Sequence, residues 1–170
     1  MNKLIQVTTV FALALGAQGC DTAGAGIDPA AHEAEVLEWR AGRLDRLLAP
    51  NGFLTQVGLY WIEDGTYTVG SATNSDIRLP ETAAAVVGSL RVNGHEVRMR
   101  VEEGVEVLSA DQAVTEILLP PDTSGEVVML LHGSIAWSVI ERGGKLAVRV
   151  RDYEHPWVAS FGPLPYYDID

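Results

Sequence analysis

The densest set of groups able to do polar chemistry in this chain is RGGKLAVRVRD, residues 142–152. Side chains alternate along a strand, so Ala147, Arg149 and Arg151 share one face and Leu146, Val148 and Val150 share the other. Arg142 and Asp152 stand at the two ends. Two guanidinium forks aimed the same way suit a carboxylate or another small anion. On an outward sheet face, the same residues make a solvent-facing charged surface with cross-strand pairs. The candidate binding residues here are Arg142, Arg149 and Asp152, and the matching partner is a small anionic ligand or an unknown protein.

A second polar stretch is VGSATNSDIRLP, residues 69–80. Asn74 and Asp76 are candidate binding residues if the loop holds a ligand. If it only turns a corner, their side chains accept hydrogen bonds from nearby backbone amides. Gly70-Ser71, Gly88-Ser89 and Gly133-Ser134 lie outside any GxSxG nucleophile elbow and read as turns or bulges, so no catalytic residue is assigned. His32, His95, His132 and His155 are scattered without an HExxH or an i, i+4 pair, so the sequence offers no metal site and no cofactor motif. Trp39, Trp61, Trp137 and Trp157, with Tyr60, Tyr153, Tyr166 and Tyr167, are expected chiefly to fill a core, with a ligand cavity as the other use.

Cys20 is the sole cysteine, which excludes an intrachain disulfide. It follows MNKLIQVTTVFALALGAQG, a start with Lys3, an interrupted apolar run and small residues, the layout of a secretory signal peptide over 1–19. Cys20 after Ala17-Gln18-Gly19 resembles the lipobox of bacterial lipoproteins. That resemblance implies lipidation at Cys20, a membrane-held protein and a place in the bacterial cell envelope. Ala17 and Gly19 also fit ordinary cleavage to a soluble periplasmic form, and an uncleaved anchor is a third reading. The formal net charge of −11 opposes nucleic-acid binding and attachment to anionic lipid by charge alone.

The elements that must position these groups are legible. Residues 20–27 are small and Gly-rich and read as a flexible tether. Asp28-Pro29 is a helix start, and Leu37, Ala41, Leu44 and Leu48 recur at helical spacing, which predicts an amphipathic helix over 28–50, ended by Pro50-Asn51-Gly52 and laid against the rest. From 51 to 170 the chain reads as about ten short strands broken by turn signals, among them Asn93-Gly94 and Gly143-Gly144. The predicted fold is mainly β: a β-sandwich or open barrel preceded by one helix.

Five blocks in order, the helix with WR and RL, NGFLTQVGLYWIEDG, VGSATNSDIRLP, IERGGKLAVRVRD and FGPLPYYDID, resemble the bacterial domain-of-unknown-function family numbered 1684. Many of its members are envelope lipoproteins that continue past the point matching Asp170. The resemblance implies that this chain is a scaffold, a binding module or a truncated form. Gly70-Ser71, Asn74, Asp76, Ile77 and Leu79 also resemble the block opening a forkhead-associated β-sandwich. Ser71 stands where that family has its phosphate-binding arginine, so phosphopeptide recognition is not expected. The function expected is a non-enzymatic envelope binding or interaction module. The alternative is a hydrolase or other enzyme with a polar site around the Arg142–Asp152 hairpin.

Overall fold

The computed structural model describes residues 28–162 and 164–169; residues 1–27, which read as a leader, Cys20 and a tether, fall outside these. Helix α1 spans Pro29–Leu48, and Asp28 caps it by accepting a hydrogen bond from the Ala30 amide at 3.0 Å. Eleven strands follow: β1 Gln56–Ile62, β2 Gly65–Gly70, β3 Ile77–Arg78, β4 Gly88–Asn93, β5 Glu96–Val101, β6 Leu108–Ser109, β7 Gln112–Ala113, β8 Glu116–Leu118, β9 Leu130–His132, β10 Ile135–Arg142 and β11 Lys145–Asp152. A short helix, α2, covers Pro156–Ser160. Strand order is β1-β11-β10-β9-β6-β7 in one sheet and β3-β2-β4-β5-β8 in the other. The molecule is therefore mainly β, a two-sheet sandwich with an N-terminal helix.

The core lies between the sheets. Trp137, Val139, Leu146, Val148 and Val150 from the first sheet meet Val69, Leu90, Val92, Val97 and Met99 from the second. Leu146, Val148 and Val150 are the inward set that alternation picked out. The Asn93-Gly94 and Gly143-Gly144 signals become the β4–β5 and β10–β11 turns, where Gly94, Gly143 and Gly144 adopt φ of +57°, +59° and +74°, a region that disfavours side chains with a Cβ.

Three expectations are corrected. No residue of α1 is buried, and Leu37 and Trp39 are more than half exposed, so the helix does not bury an apolar face against the sheets. Its described partner is the C-terminal stretch: Arg40 Nη2 donates to the Tyr167 carbonyl at 2.6 Å and lies over the Tyr166 ring. Among the tryptophans only Trp137 is buried; Trp61 and Trp157 are exposed like Trp39. The run EVVMLL, residues 126–131, one of the stretches that read as a short strand, pairs only from Leu130; before it Gly125 turns the chain in the left-handed region and Ser124 bonds across it to Glu126.

Candidate functional site

The structure separates the groups of the β10–β11 hairpin. Arg142 forms a forked ion pair with Asp122, Nη2 to Oδ2 at 2.8 Å and Nη1 to Oδ1 at 3.0 Å, while the Glu141 amide donates to the same carboxylate at 2.9 Å. The bond from Arg142 holds the Asp122 carboxyl below the usual carboxylate range despite partial burial, with help from the Glu141 amide and the Arg149 charge. Asp152, at the other end of the strand, is buried and accepts from Ser134 Oγ at 2.8 Å and the Glu154 amide at 3.1 Å. Arg149 lies between Leu59 and Ser138 in the pairing register, half-buried, with its Nε enclosed and unpartnered. Arg142 and Asp152 are thus at opposite ends of the hairpin and each has its own structural partner.

Arg151 overturns the expectation of a solvent-facing arginine surface. It is buried, and its Nη1 donates to the Gly52 carbonyl at 2.8 Å and to Thr55 Oγ1 at 2.9 Å. Burial and the neighbouring Arg149 charge both lower its pKa. It ties the loop between α1 and β1 to the sheet. Alternation along LAVRVRD identified the face; it could not show that the 50–55 loop lies over one end of it.

In VGSATNSDIRLP the polar groups close a corner. Asp76 accepts from the Thr68 amide and from Thr68 Oγ1, both at 2.7 Å, and these bonds lower its pKa. Asn74 is exposed at the loop tip and makes no side-chain hydrogen bond among the described residues. Ser71 Oγ donates to the Ala83 carbonyl at 2.8 Å, and the Ser71 and Ala72 amides bond the Ala84 and Ala85 carbonyls. A Cβ on Gly70 would run into the Ala85 backbone. His132 completes this end, with Nε2 accepting from the Ala84 amide at 3.3 Å and Nδ1 facing the Glu106 carbonyl at 2.7 Å.

At the opposite end of the sandwich, about 17 Å away along the six residues of β2, the turns leave a cleft of about 790 Å³. The β1–β2 turn contributes Glu63 and Asp64, the β4–β5 turn Gly94 and His95, and the β10–β11 turn Gly144 and Lys145. Ile62, Val92 and Leu146 make an apolar floor, and Trp61, 54% exposed, forms part of the wall. The turns are cross-linked: the Gly94 amide donates to Asp64 Oδ1 at 2.6 Å, and His95 Nε2 lies 3.7 Å from Glu141 Oε1. An apolar floor with a few convergent polar groups, in a volume of this order, is the usual form of a ligand site. Residue order concealed it, because its members come from three turns far apart along the chain and from the strand ends beside them. Lys145, the single lysine after Lys3, was the one local signal.

No family model matches the chain, and no curated protein matches it; the resemblance to the family numbered 1684 stays where its five residue blocks left it. Among solved structures, the chain is similar to the N-terminal FHA domain of EssC, a component of the bacterial Type VII secretion apparatus, at 15% identity and a TM-score of 0.43, over 57% of this chain and 46% of that one. It is similar to the FHA-2 domain of a Mycobacterium tuberculosis ABC transporter at 21% identity and a TM-score of 0.38, over 52% of this chain and 77% of that one. The cytoplasmic domain of the T3SS sorting platform protein PscD from P. aeruginosa gives 20% identity and a TM-score of 0.35, over 66% and 90% of the two chains. At these scores the description of the sandwich rests on this chain's own strand pairing.

Proposed function

We propose that this protein is a non-enzymatic binding module of the bacterial cell envelope, held to a membrane by a lipid on Cys20 and engaging its ligand or protein partner at the hairpin end of the sandwich. The cleft bounded by the three turns carries this reading. Its polar rim residues Glu63 and Lys145 enter no ion pair among the described residues, and Trp61 offers an exposed aromatic face. The polar groups of the corner and of the Arg142–Asp152 hairpin, by contrast, are largely spent on neighbouring atoms. Anchoring is supported by the leader-like start and the lone cysteine behind it.

Two measurements test the two halves. Mass spectrometry of the mature N-terminus should find a diacylglyceryl group on Cys20, and Cys20→Ser should release the protein from the membrane fraction; an unmodified Cys20 removes the anchor. A photo-crosslinking residue at position 61 should give discrete adducts in living cells that are absent when it replaces Phe53, which is exposed but does not line the cleft. Identical adducts from both positions, or none from 61, would remove the cleft as the binding surface.

A further inference from the structure

The charges around the cleft are of both signs and come from separate turns. Glu63 and Asp64 come from one turn, and Asp64 is aimed by the Gly94 amide on its Oδ1. Trp61 lines the cleft with them, and an indole favours a cation on its face. From the β10–β11 turn comes Lys145, the only lysine among the described residues, with no carboxylate of the described residues within ion-pair distance. His95 is exposed, with its Nε2 3.7 Å from Glu141 Oε1. A purely cationic ligand would meet repulsion from Lys145, and a purely anionic one from Glu63 and Asp64. A wholly apolar ligand would leave both walls without a partner while covering them from water.

We infer that the cleft takes a zwitterion with an apolar body: an ammonium group on the Glu63, Asp64 and Trp61 side, a carboxylate on Lys145, and the apolar part on Ile62, Val92 and Leu146. A free apolar amino acid and a short apolar peptide share this chemistry. The inference rests on the cleft being the binding surface and adds the class of ligand.

The test is isothermal titration calorimetry of the full chain with leucine, leucyl-leucine, N-acetyl-leucine and leucinamide. At least one of the first two should bind saturably, and the tighter identifies the amino acid or the peptide as the source. N-acetyl-leucine, lacking the ammonium, and leucinamide, lacking the carboxylate, should each bind weaker by about tenfold or more, as expected for the loss of one charge-assisted contact. Lys145→Met should weaken the zwitterion by a similar factor while leucinamide, relieved of the Lys145 repulsion, binds no weaker than to the parent. Glu63→Gln should weaken the zwitterion while N-acetyl-leucine, relieved of the Glu63 repulsion, binds no weaker than to the parent. Both side chains are exposed, so the variants are expected to fold. A singly charged analogue binding as tightly as the zwitterion, or no saturable heat from any of the four, overturns the ligand class. Discrete adducts at position 61 together with such a result would leave the cleft as the binding surface and remove only the zwitterion.

Discussion

The two ends of this sandwich are made of the same kinds of residue and have opposite characters. At the corner end, Asp76 accepts from Thr68, Ser71 donates to the Ala83 carbonyl, His132 accepts from the Ala84 amide, and there is no room for an added atom beside Gly70. At the hairpin end, Gly94 and Gly144 have open space where a Cβ would stand, and Glu63 and Lys145 enter no ion pair among the described residues. Glycine serves close approach at one end and positive φ at the other. The difference teaches that a loop rich in Gly, Ser, Asn and Asp carries no functional meaning until its donors and acceptors are counted: in the corner Ser71 and Asp76 are satisfied by neighbouring atoms and only Asn74 stays open, while at the hairpin end Glu63 and Lys145 are left over.

The largest predicted effect lies midway between the ends. Val148→Asp places a carboxylate at a fully buried position and should cost about 4 kcal/mol or more, seen as loss of a cooperative thermal transition. Gly70→Val comes next, because backbone rather than a movable side chain blocks the new atoms; a loss of about 3 kcal/mol in urea unfolding is expected, and a near-neutral result would show the corner to be loosely packed. Arg151→Ala removes two buried hydrogen bonds and should cost about 2–3 kcal/mol. A cost below about 0.5 kcal/mol would return Arg151 to the solvent-facing role that alternation suggested.

At the open end the effects on folding shrink. Gly94→Ala should cost only about 1 kcal/mol, all of it from the left-handed backbone, since no neighbour is displaced. A loss as large as that of Gly70→Val would erase the contrast between the ends. The smallest effect is at Asp122, whose carboxyl is held below its ordinary pKa of 3.8 by Arg142. A depressed pKa stabilises the fold above the unfolded value and loses that contribution as pH falls through the folded one. Asp122→Asn should therefore lower the urea midpoint slightly at pH 7, and the difference from the parent should begin to shrink as pH falls below about 4 and be lost only once pH is below the depressed folded value. A difference that did not shrink at all on acidification would mean that the carboxyl's shape, and not its charge, is what Asp122 supplies.

Elements set by local chemistry were legible from residue order. Asp28-Pro29 starts α1, Asn93-Gly94 and Gly143-Gly144 make hairpin turns, and alternation in LAVRVRD sorts Leu146, Val148 and Val150 inward. Helical spacing of Leu37, Ala41, Leu44 and Leu48 gave the helix but not its partner, which is a C-terminal segment more than a hundred residues away. Of the four tryptophans expected chiefly in the core only Trp137 is there, because hydrophobicity ranks burial only on average; Trp61, on the edge strand β1, stays exposed and lines the cleft.

The sequence by itself determined which stretches are helix, strand and turn, and which face of each strand is apolar, because those follow from backbone sterics and from the two-residue and 3.6-residue periods acting over a few neighbours. Tertiary structure alone decided which polar groups are left over. Arg142 meets Asp122 across 20 residues, Arg151 meets Gly52 across 99, and Asp64 meets Gly94 across 30. Whether a charge is spent or free depends on what packs beside it, and in a sandwich those neighbours come from strands far apart along the chain.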